Sequence, residues 1–235
     1  MAIEKQSAPR TARARVRDEL SREIRQVARK QLAQSGAGEL SLRAVARELG
    51  MVSSAVYRYY PSRDELLTAL IIEAYQAVGE AAGAAEAAVR RGDYAGRWTA
   101  LGRGMRGWAV EHPQEYALIF GSPVPGYAAP QDTIDPAARI PLLILAILDE
   151  AAAAGRLSSM VDGPLPRAVR TDLKALKALV SSSLDEHQLA RAMRAWTQLV
   201  GSISFELFGH LHGVVVDYGA YFDYQLSQLA RDLGL

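Results

Sequence analysis

Apolar residues in this chain recur three or four positions apart and almost never alternate one by one, and that spacing decides most of what it can fold into. A period of 3.6 lines side chains along one helix face, whereas a half-buried strand needs period two and favours β-branched residues. Leu20, Ile24, Val27, Ala28 and Leu32 fall at i, i+4, i+7, i+8 and i+12, one stripe of a helix expected to stop at Ser35-Gly36-Ala37-Gly38. Alanine is abundant and strand signals are nearly absent, so the expected class is all-α.

Two short helices should follow. Ser41 suits an N-cap, Leu42, Val45, Ala46 and Leu49 repeat the stripe over two turns, and Gly50 offers the left-handed residue that ends a helix. The third helix is expected to run through Tyr60 to Pro61-Ser62, with Val52, Val56, Tyr59 and Tyr60 sharing one face and Ser53, Ser54, Tyr57 and Arg58 the other. A fourth begins near Ser62 or Arg63, with Asp64 and Glu65 where the helix dipole favours negative charge, and can run to Arg91. Its stretch from Ala77 to Val89 is mostly alanine with Gly79 and Gly83, which lets another helix approach closely. Further helices are expected over residues 94–111, 137–154, 167–181, 184–211 and 217–233, with loops at 121–136 and 155–166.

Charge separates the chain into two parts. The formal net charge of +1 conceals +5 in residues 1–65 and −4 in residues 66–235. A basic first quarter on an acidic remainder suits a nucleic-acid-binding module joined to a non-binding one, although a solvated helix face has the same composition. The absence of cysteine excludes a disulfide framework, a thiolate zinc site, an iron–sulfur cluster and a thiol redox sensor, and it fits a reducing, cytoplasmic setting. No apolar run approaches the roughly 20 residues needed to span a bilayer. Glu4 and Lys5, followed by a basic stretch with no apolar core, do not read as a secretory signal.

Metal and catalytic signals are lacking. His210 and His212 are two apart, about 200° on a helix, and cannot chelate together. His112 and His187 have no ligand-spaced partner. There is no G-x-S-x-G elbow, phosphate-binding glycine loop or HExxH, so neither a catalytic group nor a cofactor is expected.

The informative string is Ser41-Leu-Arg-Ala-Val-Ala-Arg-Glu-Leu-Gly50, Met51-Val-Ser-Ser-Ala-Val-Tyr-Arg-Tyr-Tyr60, Pro61-Ser-Arg-Asp-Glu-Leu-Leu67. Its caps, Gly turn, aromatic positions and basic residues closely resemble the helix-turn-helix DNA-binding domain of the TetR family of bacterial transcriptional regulators, over residues 29–72. The resemblance implies that Tyr57 and Arg63 bind phosphates, which positions the protein without reading bases. Arg43, Ser54 and Arg58 would read base edges, arginine bonding to guanine O6 and N7. Ser53 and Ala55 complete the exposed face, Tyr59 lies at its margin, and Ser41 starts the preceding helix on the DNA side. Val52 departs from the family's Ser or Thr cap, a role Ser53 is then expected to take. An isolated Tyr57 would as readily pack between helices, and Arg43 would pair with Glu39 or Glu48. Residues 10–17 precede the first helix and form either a DNA-contacting arm or a solvated tail.

Trp108-x3-His112-Pro113-x2-Tyr116-x3-Phe120-Gly121-x-Pro123-Val-Pro-Gly-Tyr127 resembles a WHG-type C-terminal domain of TetR-like regulators. The resemblance implies a largely apolar ligand cavity bordered by Trp98, Met105, Trp108, Tyr116, Phe120 and Trp196, each of which also suits core packing. The expected organisation is a flexible basic arm at 1–17, a three-helix DNA-binding domain at 18–65, and a helical ligand-binding and dimerisation domain at 66–235. Expected partners are a double-stranded DNA operator, a small inducer and a second copy held through the last two helices. The alternative is a DNA-associated adaptor whose C-terminal domain binds a protein. A ligand-processing enzyme would instead require converging titratable groups in the cavity.

Overall fold

The computed structural model describes residues 12–158 and 163–235. Within them lie ten α-helices, two one-turn 3-10 segments and no strand, the all-α class expected from the spacing. The chain divides into two compact units: residues up to Ile71 together with Pro123–Ala129, and Ile72–Ser122 together with Pro130–Leu235.

The first unit contains α1 (Ala12–Ser35), α2 (Leu42–Glu48), α3 (Ser53–Tyr57) and the opening turns of α4 (Arg63–Ala87). Its core takes in Ile24, Val27, Ala28 and Leu32 of the predicted stripe, Leu20 being only half-buried, together with Leu42, Val45, Ala46, Val56, Leu66, Leu67 and Leu70, all buried. Each large aliphatic side chain buried in this way contributes roughly 1.5–3 kcal/mol. Ser41 caps α2 by accepting from the Ala44 amide at 3.4 Å, and Gly50, at φ +66°, turns the chain toward α3.

Two expectations here need correction. α1 starts at Ala12, so Arg13, Arg15 and Arg17 lie on the helix and not on an arm ahead of it; no breaker separates Ala12 from Leu20, and alanine and arginine are strong helix formers. Arg10 lies outside the described residues. Secondly, α3 ends at Tyr57 and its N-cap is Val52, 71% exposed and offering no side-chain cap, while Ser53 is its first helical residue. Of the four residues expected to face inward, Val56 and Tyr60 are buried and Tyr59 is half-buried.

The second unit comprises the rest of α4, then α5 (Tyr94–Glu111), α6 (Pro113–Phe120), α7 (Ile134–Ala153), α8 (Arg167–Val180), α9 (Glu186–Leu207) and α10 (Tyr218–Leu233). Asp93, Asp185 and Asp217 cap α5, α9 and α10 by accepting backbone N–H bonds. α6 was not expected: it is short and begins with Pro113, which breaks α5 yet suits the first turn of a new helix. α7 likewise begins inside the stretch expected as loop, whereas α4 and α9 stop at Ala87 and Leu207, short of Arg91 and Leu211.

The alanine-rich part of α4 meets α5. A Cβ on Gly104 would lie 2.7 Å from the Ala81 carbonyl and 2.8 Å from the Ala85 Cβ, so the helix backbones touch there. Beside this contact Arg97, 1% exposed, donates from Nε to Glu86 at 2.5 Å and from Nη1 to Glu150 at 2.8 Å. Burial works against that guanidinium's charge, but the two carboxylates prevail and raise its pKa. Removing one partner from such a group typically costs about 3–5 kcal/mol.

Candidate nucleic-acid interface

Recognition of a duplex by a short helix needs polar side chains that point outward from a rigid support. Here α2 and α3 supply the helices, Gly50 the turn, and α1 the support. Tyr60, one residue before Pro61, accepts from Arg25 Nη1 at 2.6 Å and shares a 2.9 Å hydrogen bond with the Ser21 hydroxyl. These bonds tie the end of the α3 segment to α1. The i, i+4 placement of Ser21 and Arg25 on one helix was the signal available for this anchor, and it went unread in the sequence.

Ser54, Tyr57 and Arg58 are exposed, Tyr57 at 40%, while Ser53 and Ala55 are partly buried. Tyr59 is half-buried and lines a groove with Arg58. Arg43 is exposed at the start of α2, and no ion pair joins it to Glu39 or Glu48; Lys30 approaches Glu48 instead, at 3.9 Å. Arg63 is more constrained. Its Nη2 donates to the Ala37 carbonyl at 2.8 Å and the Gly38 carbonyl at 3.3 Å, and Nη1 lies 3.5 Å from Asp64. The guanidinium thus anchors the start of α4 to the Ala37–Glu39 turn, and Ser62 caps that start through the Glu65 amide.

The description "Bacterial regulatory proteins, tetR family" fits residues 24–70, and "Tetracyclin repressor-like, C-terminal domain" fits residues 98–229, more than half of the chain. The chain belongs to the TetR family. Among similar proteins, the HTH-type transcriptional regulator Rv1816 of Mycobacterium tuberculosis is 36% identical over 221 residues, 92% of this chain and 93% of that protein. The protein SCO4313, known as a crystal structure, is 36% identical with a TM-score of 0.77 over 94% of this chain and 98% of its own. A Rhodococcus sp. RHA1 protein of unknown function, 22% identical, shares the fold at a TM-score of 0.69 over 99% of this chain and 100% of its own. As a TetR-family member the chain is a DNA-binding transcriptional regulator and not an enzyme.

The six residues expected on the ligand side of this TetR-family chain lie in one apolar cluster of the second unit. Trp98, Met105 and Tyr116 are fully buried, and Trp108 nearly so. Trp98 donates to the Leu226 carbonyl at 3.0 Å, and Tyr116 to the Val200 carbonyl at 2.9 Å, with Ser204 beside it. Burial pushes the Tyr116 hydroxyl pKa up to about 12, the Ser204 hydrogen bond opposing the shift. Phe120 and Trp196 are only partly buried and meet edge to face at 5.9 Å, and Tyr75 also meets Phe120 edge to face, at 5.8 Å. Among the described residues no group of histidines and carboxylates is arranged to hold a metal ion, and no helix is long and apolar enough to cross a membrane.

Proposed function

We propose that the chain is a ligand-responsive repressor that binds a near-palindromic operator as a homodimer. α3 enters the major groove, Tyr57 and Arg63 hold phosphates, and Arg43, Ser54 and Arg58 read bases. The supporting observation is the outward face of Ser54, Tyr57 and Arg58 on a helix held to α1 through Tyr60. Half-sites of such an operator lie about one helical turn, ~34–36 Å, apart.

Dimerisation through α9 and α10 is supported by apolar side chains left outside the core. Met193, Thr197, Gly201 and Phe205 follow at i+4 steps along α9, with Met193 44% and Phe205 54% exposed, and Phe208, Tyr221 and Tyr224 are also exposed. A Cβ on Gly201 would meet nothing within 4 Å, so the stripe has a shallow point at its middle. An inducer, small and largely apolar, enters beside the half-buried Phe120 and Trp196. It releases DNA only if it binds the DNA-incompetent state more tightly than the competent one.

Electrophoretic mobility shift with DNA from upstream of the protein's own reading frame tests the reading. Salt-sensitive retardation at low micromolar protein is expected, and its absence would sink the proposal.

A further inference from the structure

The stripe that buries α1 does not stop where the core stops. Counting back from Leu20, the same face continues through Arg17, Val16 and Arg13, at spacings of three and four. There it faces no core. Arg13, Val16, Arg17 and Leu20 form one wall of an open groove of about 530 Å³, and Met51, Ala55, Arg58 and Tyr59 form the other. The floor is mostly apolar and three guanidinium groups border it. Arg13, Arg17 and Arg58 have no ion-pair partner among the described residues, so three like charges line one groove without compensation. An anion placed there would relieve that repulsion.

We propose that this groove holds the sugar–phosphate backbone of one DNA strand, with Arg13 and Arg17 on phosphates and deoxyribose against Val16, Leu20 and Met51. The inference rests on the DNA-binding reading and adds to it a contact made by α1, outside the helix-turn-helix. Its position decides the occupant. One wall belongs to the recognition segment itself, so a duplex read by Ser54 and Arg58 brings its backbone to the groove, and the alternation of apolar floor and cationic border matches the alternation of sugar and phosphate. Arg13 and Arg17 add affinity for any sequence, and Arg58, at the edge shared with the reading face, keeps its role toward bases.

The test is a fluorescence anisotropy titration of labelled duplexes over about 50–200 mM salt. The combined change Arg13→Ala with Arg17→Ala should make the slope of log K against log salt shallower by about 0.9 for each phosphate no longer neutralised, and leave the ranking of duplex sequences unaltered. Arg13→Lys with Arg17→Lys should restore the slope, and Arg90→Ala, on the second unit, should match the unaltered protein. An unchanged slope in the alanine variant overturns the inference while leaving the proposed function intact. Absence of salt-dependent binding by the unaltered protein overturns both. Replacing chloride by inorganic phosphate at matched ionic strength separates the two sources of phosphate. A loss of DNA affinity seen with the unaltered protein and missing from the alanine variant shows phosphate displacing DNA from the groove and supports the DNA occupant. A phosphate-dependent rise in melting temperature that the alanine variant lacks, with DNA affinity unmoved in both proteins, assigns the groove to free phosphate and overturns it.

Discussion

Tyr57 and Arg58 are adjacent, both exposed, and differ in what their chemistry can distinguish. A phenol reaching a phosphate oxygen meets the same group at every base pair, whereas a guanidinium in the major groove meets a donor and acceptor pattern that changes with sequence. Tyr57→Phe is therefore expected to weaken binding to all duplexes by a similar factor. Arg58→Ala should cost about 1–3 kcal/mol on the preferred sequence and less on others, read as a change of ranking in a binding selection. Equal effects of both on every sequence would contradict this division. Tyr116 has a consequence at high pH. Its pKa lies near 12 in the fold against an ordinary value of 10.0, so its stabilisation is complete below pH 10 and is lost as pH rises through 12. Tyr116→Phe should lose about 1 kcal/mol at neutral pH with its hydrogen bonds, and should show a flatter decline of melting temperature across that window. An unchanged alkaline decline would show that Tyr116 does not govern it.

Among the elements, the contact between α4 and α5 separates glycines that matter from glycines that do not. A methyl at Gly104 would overlap the Ala81 carbonyl, which belongs to a helix backbone and cannot swing aside. At Gly83 the nearest atom is a Leu143 methyl at 3.5 Å, an ordinary contact. Gly104→Ala should thus destabilise by about 1–3 kcal/mol, and Gly83→Ala should stabilise by up to about 1 kcal/mol through helix propensity. Thermal melts moving in opposite directions check the pair. The close approach was legible in the sequence, because the alanine run of α4 had space for a neighbour; that the neighbour was Gly104 was not, because partner choice depends on tertiary path. The same limit governs the rest. α2 was legible because its cap, stripe and Gly50 agree. α3 was read too long, since Tyr59 and Tyr60 have the right spacing for a helix but follow it in a turn. The aromatic set from Trp98 to Trp196 was legible as apolar at helical spacing, which leaves core and ligand wall indistinguishable. The α1 groove was hidden because Arg13 and Arg17 read as a tail until the helix start was placed at Ala12.

For the whole molecule, a near-palindromic operator requires two reading heads, and the stripe on α9 is the proposed means of joining them. Phe205→Asp places a charge on a half-exposed position, so the fold should survive while association fails. Light scattering should give twice the 25.5 kDa chain mass for the unaltered protein and the single-chain mass for the variant, with operator affinity lost in parallel. An unchanged mass would move the interface elsewhere. Another consequence follows from Pro123–Ala129, which packs with the first unit, where the Tyr127 and Thr68 hydroxyls lie 2.9 Å apart. The DNA-reading unit is thus encoded in two separated stretches. A fragment cut at Ile71 leaves part of its own packing behind, and a chimera that exchanges reading heads between relatives must exchange both stretches. Recombination at a single point would pair a reading head with a foreign Tyr127 segment, so specificity in this lineage is expected to change by point substitution on α3 more readily than by shuffling.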